Sequence, residues 1–383
     1  MKEYVKIPAV LMRGGTSKGA YLMLEDLPED PALRDKAILG IYGSPDIRQI
    51  NGIGGADPLT SKVALIARSK RENIDVDYTF GYVGIKEASI DYEGNCGNMS
   101  SGVGPFAIAK GLVAAQEPIT CVRIFNTNTR KVIEAQVPVN DGEVVTEGDY
   151  AIDGVPGTGA KIVLNFLNSG GSKTGKLLPT GNVTDEITLK SGKKVRVSLV
   201  DAANPSVFVK ASDIGLTGVE MPKDTETNPK ILKIMEDIRT TAAVMMGLAS
   251  SKDKVGPAVP KVAFVAAPQE YMALNGFHVK ADAVDLVART LALSVMHKAY
   301  AVTGGICVAT AALIPGTVVN EVVSSRAKEN KVVRLGHPSG VLDFEIAMED
   351  SASGLTLTKA GVARTARPIM DGFVYVPAKL FDQ

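Results

Sequence analysis

The chain reads as two copies of one unit, and that constrains its fold more than any other feature. The stretch Val195–Val200, Asp201-Ala202-Ala203-Asn204-Pro205-Ser206, Val207–Val209 and Ser212-Asp213-Ile214 retraces Val5 through Leu27. The offset is 190 residues from Val5 to Val195 and 187 from Asp26 to Asp213, so the second copy's loop is expected to be about three residues shorter. Further on, Val332 through Glu345 retraces Cys121 through Glu134 at an offset of 211, setting Arg123 on Arg334 and Glu134 on Glu345. Each of these hairpins follows a glycine-opened apolar helix, one from Asn98 to about Lys110 and one at Gly304–Leu313. A single hairpin match arises easily by chance, but two in the same order around the same kind of helix point to a duplicated domain. The 383 residues suffice for two cores. The linker-like run Asn168–Lys176 and the following Leu177–Asn182 place the boundary, giving domains 1–183 and 184–371, with a last strand 372–383 completing the first.

Such a duplication predicts two equivalent helix N-termini across a pseudo-twofold cleft. Two positive helix ends suit a small dianion such as a dicarboxylate. The first mouth carries Gly94-Asn95-Cys96-Gly97-Asn98-Met99-Ser100-Ser101-Gly102. A cysteine just before a helix lies near unpaired backbone N–H groups and the positive end of the dipole, which favour thiolate. Its Asn, Gly and Ser neighbours are not the apolar setting of a packed structural thiol. Pro105 falls inside the helix and either kinks it or marks its true first turn. Cys121 opens a strand and reads as core, and Cys307 lies in an apolar helix and reads as structural. Counting back from the hairpin sets Cys307 opposite Cys96, whereas the glycine context sets Gly304 there; a cleft-facing residue must lie at the helix mouth, which favours the second.

Lys+Arg and Asp+Glu both number 42, with no block of one sign, which argues against a nucleic-acid surface. The apolar runs are short and interrupted, so no membrane span is expected. Met1-Lys2-Glu3-Tyr4-Val5 enters a strand pattern at once, from which no signal peptide is expected. Three cysteines in unlike surroundings make no disulfide framework, and His278, His297 and His337 are too scattered for a zinc pattern. These readings predict a cytoplasmic protein without metal. Two glycine-rich stretches lack the pattern of a nucleotide site. Arg13-Gly14-Gly15-Thr16-Ser17-Lys18-Gly19 has phosphate-loop residues, but a strand rather than a helix follows its lysine. Gly52-Ile53-Gly54-Gly55-Ala56-Asp57 lacks the third glycine of a dinucleotide fingerprint. Arg13 and Lys18 remain carboxylate-binding candidates. Lys62, opening the apolar strand Val63–Ala67, reads on its own as a strand-end lysine reaching for solvent.

Met12–Gly19, Gly54–Lys62, Asn95–Gly102, Lys176–Asn182, Ala203-Asn204-Pro205, Gly336–Gly340 and Gly361–Gly372 together resemble the PrpF family of 2-methylaconitate cis–trans isomerases and relatives, within the diaminopimelate epimerase-like superfamily. The resemblance implies an α/β (α+β) fold of two pseudo-symmetric domains, each a sheet rolled around a central helix, with the site between them. It implies cofactor-independent proton-shift chemistry on a small di- or tricarboxylate. The family's functional lysine maps onto Lys62 and its cysteine onto Cys96. The superfamily's epimerases carry a second cysteine at the other helix mouth; Thr303-Gly304-Gly305 stands there instead, which favours returning the proton elsewhere on the same substrate over two-base racemisation. The expected reaction is methylitaconate to 2,3-dimethylmaleate, with methylaconitate isomerisation or oxalomesaconate tautomerisation as alternatives and a non-enzymatic dicarboxylate-binding protein as the alternative of another class. Cys96 and Lys62 are the expected proton-transfer pair. Thr16, Ser17 and Lys18, the N–H groups of Gly97, Asn98, Met99 and Ser100, and those of Thr303, Gly304 and Gly305 are the expected substrate contacts. Exposed sheet faces often pair, so a homo-oligomer is expected.

Overall fold

The computed structural model describes residues 3–256, 259–292, 295–351 and 354–381. The chain divides into two compact units: Met1–Leu164 with Arg364–Gln383, and Asn165–Ala363. The division falls before the linker-like stretch expected to mark it. Buried Asp201 accepts hydrogen bonds from Ser172 Oγ (2.6 Å), the Lys173 and Thr174 N–H groups (2.9 and 2.8 Å) and Thr174 Oγ1 (2.9 Å), fastening that stretch to the second unit. At the chain's end, Ala366–Pro377 pairs antiparallel with Tyr4–Gly14 and so joins the first unit; residues 382 and 383 of the expected last strand lie outside the described residues.

In the first unit Tyr4–Gly14 and Ser17–Met23 form a hairpin, and Lys62–Arg68 adds in parallel to the second strand. Val76–Val83 pairs antiparallel with that strand, Ile119–Asn126 adds in parallel, and Lys131–Asn140 closes antiparallel. The second unit repeats the ladder step for step. Lys194–Ala202 and Asn204–Lys210 form its hairpin, then Lys261–Ala266 joins in parallel and Leu286–Ala292 antiparallel. Val332–His337 adds in parallel and Gly340–Ser351 antiparallel.

The register corrects the sequence alignment. Gly14 pairs with Ser17 across a two-residue turn, and Ala202 with Asn204 across one residue, so the offsets are 188 and 187 and the second turn is one residue shorter, not three. Arg123 matches Arg334, but the return strands close over turns of different length. Glu134 therefore matches Asp343, both facing those arginines, rather than Glu345. A clamp repeats as well: the Arg123 N–H donates to Asp75 (2.7 Å) and the Arg334 N–H to Asp285 (2.9 Å). The supposed loop Arg13–Gly19 is mostly strand, turned tightly at Gly15, whose φ of +51° suits glycine. Ile90–Asp91 adds a short antiparallel pairing to Val76–Val83.

The ladder of each unit carries a helix on either face. Pro31–Tyr42 packs Ile38 and Ile41 on Val63, Leu65, Val374 and Val376. Pro229–Met245 packs Met235, Ile238 and Ala242 on Val197, Val262 and Phe264. On the opposite faces lie Gly97–Ala109 and Val302–Leu313, which have almost no exposed residues. A helix apolar all round has to be enclosed, and strands from across its own unit contact each one. In the first, Pro105, Gly102 and Gly104 together cost about 5 kcal/mol of helix propensity. Burying Met99, Val103, Phe106 and Ile108 at roughly 1.5–3 kcal/mol each more than offsets that. Among the described residues no helix is long and apolar enough to cross a membrane.

Candidate active site

Cys96 is the N-cap of Gly97–Ala109. Its φ of −128° and ψ of 97° are extended, as an N-cap residue requires, and its sulfur accepts the Met99 N–H at 3.5 Å. Its carbonyl takes the Ser100 N–H (3.0 Å) and the Ser100 hydroxyl (3.1 Å). The first turn, Gly97 to Ser100, is buried, and Cys96 is half-buried above it. Two of the four N–H groups expected to serve a substrate, those of Met99 and Ser100, are thus engaged by the cysteine itself.

Lys62 comes to the same place from another element. It is the first residue of its strand, on the rung opposite Gly19. A side chain at Gly19 would press on the Lys62 carbonyl, so glycine sets how closely these strands approach. The Tyr42 hydroxyl donates to the Lys62 carbonyl and accepts the Ala20 N–H at 2.8 Å, pinning both strands beside the lysine. Buried Gln49 folds back the preceding loop, bonding Ser61 Oγ (2.8 Å) and the Ala56 N–H (2.9 Å).

The lysine side chain is 8 % exposed. Its Nζ donates to Ser17 Oγ at 2.9 Å, and Ser17 Oγ lies 3.8 Å from Cys96 Sγ. Ser17 itself is 1 % exposed. Among the described residues Lys62 forms no ion pair, so a nearly enclosed ammonium faces a neutral hydroxyl rather than a carboxylate. Burying a cation without an anion is costly, and an anionic ligand would relieve that cost.

The neighbouring candidates divide by role. Thr16 gives its N–H to Asn98 Oδ1 (3.3 Å), and its own hydroxyl is a buried polar atom without a partner among the described residues. Asn98 Oδ1 also accepts from Arg364 Nε at 3.1 Å, a buried arginine 266 residues away that sequence reading did not single out. Lys18 is half-buried beside them, its N–H held by the Leu59 carbonyl (2.9 Å). Arg13 spends its guanidinium on the carbonyls of Gly15 (3.0 Å) and Thr365 (2.9 Å) and so braces the turn. Burial, and after it the nearby Cys96, pushes the Tyr21 and Tyr78 phenols far up, so both stay neutral.

In the second unit, Val302–Leu313 is capped by Ala301, so Ala301 matches Cys96 and Thr303 matches Asn98. Thr303, Gly304 and Gly305 sit buried in its first turn, and the Thr303 hydroxyl has no partner among the described residues. Cys307 is fully buried deeper in that helix, its thiol donating to the Val200 carbonyl at 3.3 Å. Burial pushes it up to about 12, an inert thiol rather than a second base at a helix mouth. Cys121 does open a strand, but it is exposed rather than core, because its face of Ile119–Asn126 is the outer one.

Known proteins resemble the chain along its whole length. The family described as PrpF protein matches residues 4–377. The 3-methylitaconate isomerase of Eubacterium barkeri is 48% identical over 380 residues, covering 98% of both chains. The 4-oxalomesaconate tautomerase of Pseudomonas putida is 41% identical (97% of this chain, 96% of that one), and the 2-methyl-aconitate isomerase of Shewanella oneidensis 39% (97% of each). The crystal structure of a methylitaconate-delta-isomerase superposes with a TM-score of 0.85 at 46% identity, covering 100% of this chain and 98% of that one. A hydroxyproline epimerase from Agrobacterium vitis shares the fold at a TM-score of 0.57 and 13% identity, over 99% of this chain and 94% of its own.

Proposed function

The chain belongs to the PrpF family, and we propose that it is an isomerase that moves a C=C bond by 1,3-proton transfer, converting methylitaconate to 2,3-dimethylmaleate. The observation that carries this is the meeting of Lys62 and Cys96 on one hydroxyl at a helix mouth, with the ammonium paired to no anion among the described residues. The relative named for methylitaconate, 48% identical, supports the substrate.

Methylitaconate has one C–H that is α to one carboxylate and vinylogous to the other. Removing that proton gives a dienolate spread over both groups, and protonating the terminal methylene moves the double bond. A carboxylate already bears charge, so the carbon acid is very weak and the added charge has to be stabilised as it develops. Preorganised donors in a dry site suit this, one well-placed donor being worth about 3 kcal/mol by analogy with oxyanion holes. Donors aimed at the Cys96 sulfur favour it as the acceptor of the C–H proton. Lys62, as an ammonium, delivers a proton to the methylene and balances the dianion. General acid–base catalysis of this kind contributes roughly 10²–10⁴-fold. Thr16, Lys18 and the first turn of the helix then orient a carboxylate.

The relatives named for 2-methylaconitate and 4-oxalomesaconate support a second reading, in which the substrate carries one more carboxylate. A turnover panel of the three acids separates the two. The proposal expects the highest kcat/KM for methylitaconate; a higher value for either tricarboxylate moves the assignment to that acid. The reading includes self-association: Ile369, Met370, Phe373 and Tyr375 are exposed on the strand Ala366–Pro377.

A further inference from the structure

An acid–base pair that takes a proton with one member and gives one with the other ends each turnover in the wrong state. If Cys96 has taken the substrate's proton and Lys62 has donated its own, the site holds a thiol and a neutral amine. It must return to thiolate and ammonium before the next substrate. The direct route is narrow, because Ser17 stands between the two groups, at 2.9 Å from Nζ and 3.8 Å from Sγ.

The hydrogen-bond directions are set by valence. An ammonium only donates, so Ser17 Oγ accepts from Lys62. A serine has one proton, and among the described residues the remaining contact of Oγ is the sulfur, so that proton points at Cys96. With Ser17 1 % and Lys62 8 % exposed, water has little access to the bridge. We propose, resting on the isomerase reading above, that Ser17 is the proton bridge that resets the Lys62–Cys96 pair. In the reset the Cys96 S–H bond breaks as its proton passes to Ser17 Oγ. The Ser17 O–H bond breaks as its own proton passes to the Lys62 amine, and a new N–H bond forms. Thiol and amine become thiolate and ammonium, the serine ends as it began, and no outside acid or base takes part. Ser17 thus acts through the two reacting groups and does not hold a substrate carboxylate.

The test compares Ser17→Ala and Ser17→Thr in a Cys121→Ser background, which removes the exposed thiol. Ser17→Ala should lower kcat roughly 10²-fold with KM changed less than about twofold, and added imidazole, a small proton carrier, should raise its kcat in proportion to concentration. Ser17→Thr, which keeps the hydroxyl, should recover most of the activity without imidazole, and the parent should ignore imidazole. A raised KM with kcat intact, or a kcat loss that imidazole does not relieve, would overturn the bridge and leave the isomerase reading standing. Should the parent turn over none of the three acids, that reading fails, and the bridge is judged on iodoacetamide capture of Cys96 at neutral pH. Slower capture in Ser17→Ala than in parent and Ser17→Thr supports it, and equal rates overturn it.

Discussion

Tyr42 shows how much of the site rests on residues that never touch a ligand. One phenol, fully buried, ties the Lys62 carbonyl and the Ala20 N–H to the helix Pro31–Tyr42. Tyr42→Phe leaves both backbone groups buried and unpaired, for which we expect a loss of about 1–3 kcal/mol in urea unfolding. Turnover should fall as well, because the lysine's strand position loosens. Unchanged stability would mean that strand pairing alone fixes the lysine. At this scale the sequence was informative where the signal is local. Cys96 could be found from its own neighbours, since glycine, asparagine and serine around a cysteine before an apolar run describe a helix mouth. Lys62 on its own read as a solvent-seeking strand end, and the family resemblance raised it. Gln49, Tyr42 and Arg364 were not legible, since each matters only through a partner brought close by strand pairing or chain return. The side chain of Ser17 was read as a carboxylate contact, and only the three-dimensional arrangement sets it between lysine and thiol.

Among the elements, the two enclosed helices differ in what their cysteines do. Cys96 caps one, whereas Cys307 is packed inside the other. Burial raises the Cys307 thiol from 9.0 to about 12. In the unfolded chain that thiol loses its proton above about pH 9, while the folded chain keeps it until about 12. The unfolded state therefore binds fewer protons across this window, and folding stability falls as pH rises through it. Buried Tyr21, Tyr42 and Tyr300 add the same trend from about pH 10 upward. Thermal melts from about pH 9 to 10, where the thiol dominates, should fall less steeply in Cys307→Ala than in the parent, although the variant melts lower overall. Parallel slopes would show that Cys307 titrates normally. The two enclosed helices, the first unit's parallel strand and the late hairpins carry local patterns that place them in the sequence to within a few residues, whereas the helix Pro229–Met245 and the strand Lys261–Ala266 are not singled out by the sequence reading. Turn lengths were misjudged, because repeated strands can be slid by two residues without upsetting their apolar alternation.

For the molecule as a whole, the repeat predicted from unequal offsets returns as one ladder built twice, with matching helices on both faces of each ladder. The division between the units was harder to see. Asn168–Lys176 has the composition of a linker, yet Asp201 gathers its N–H and hydroxyl groups into an ordered loop, something glycine and serine content cannot reveal. Function belongs to the complete chain, and a turnover experiment tests it most directly. Purified protein is incubated with methylitaconate in D₂O and followed by NMR, beside Cys96→Ser. The account predicts 2,3-dimethylmaleate formed by the parent and nearly complete loss of turnover in Cys96→Ser. Near-normal turnover by Cys96→Ser, or no shift of the double bond by the parent, would contradict it.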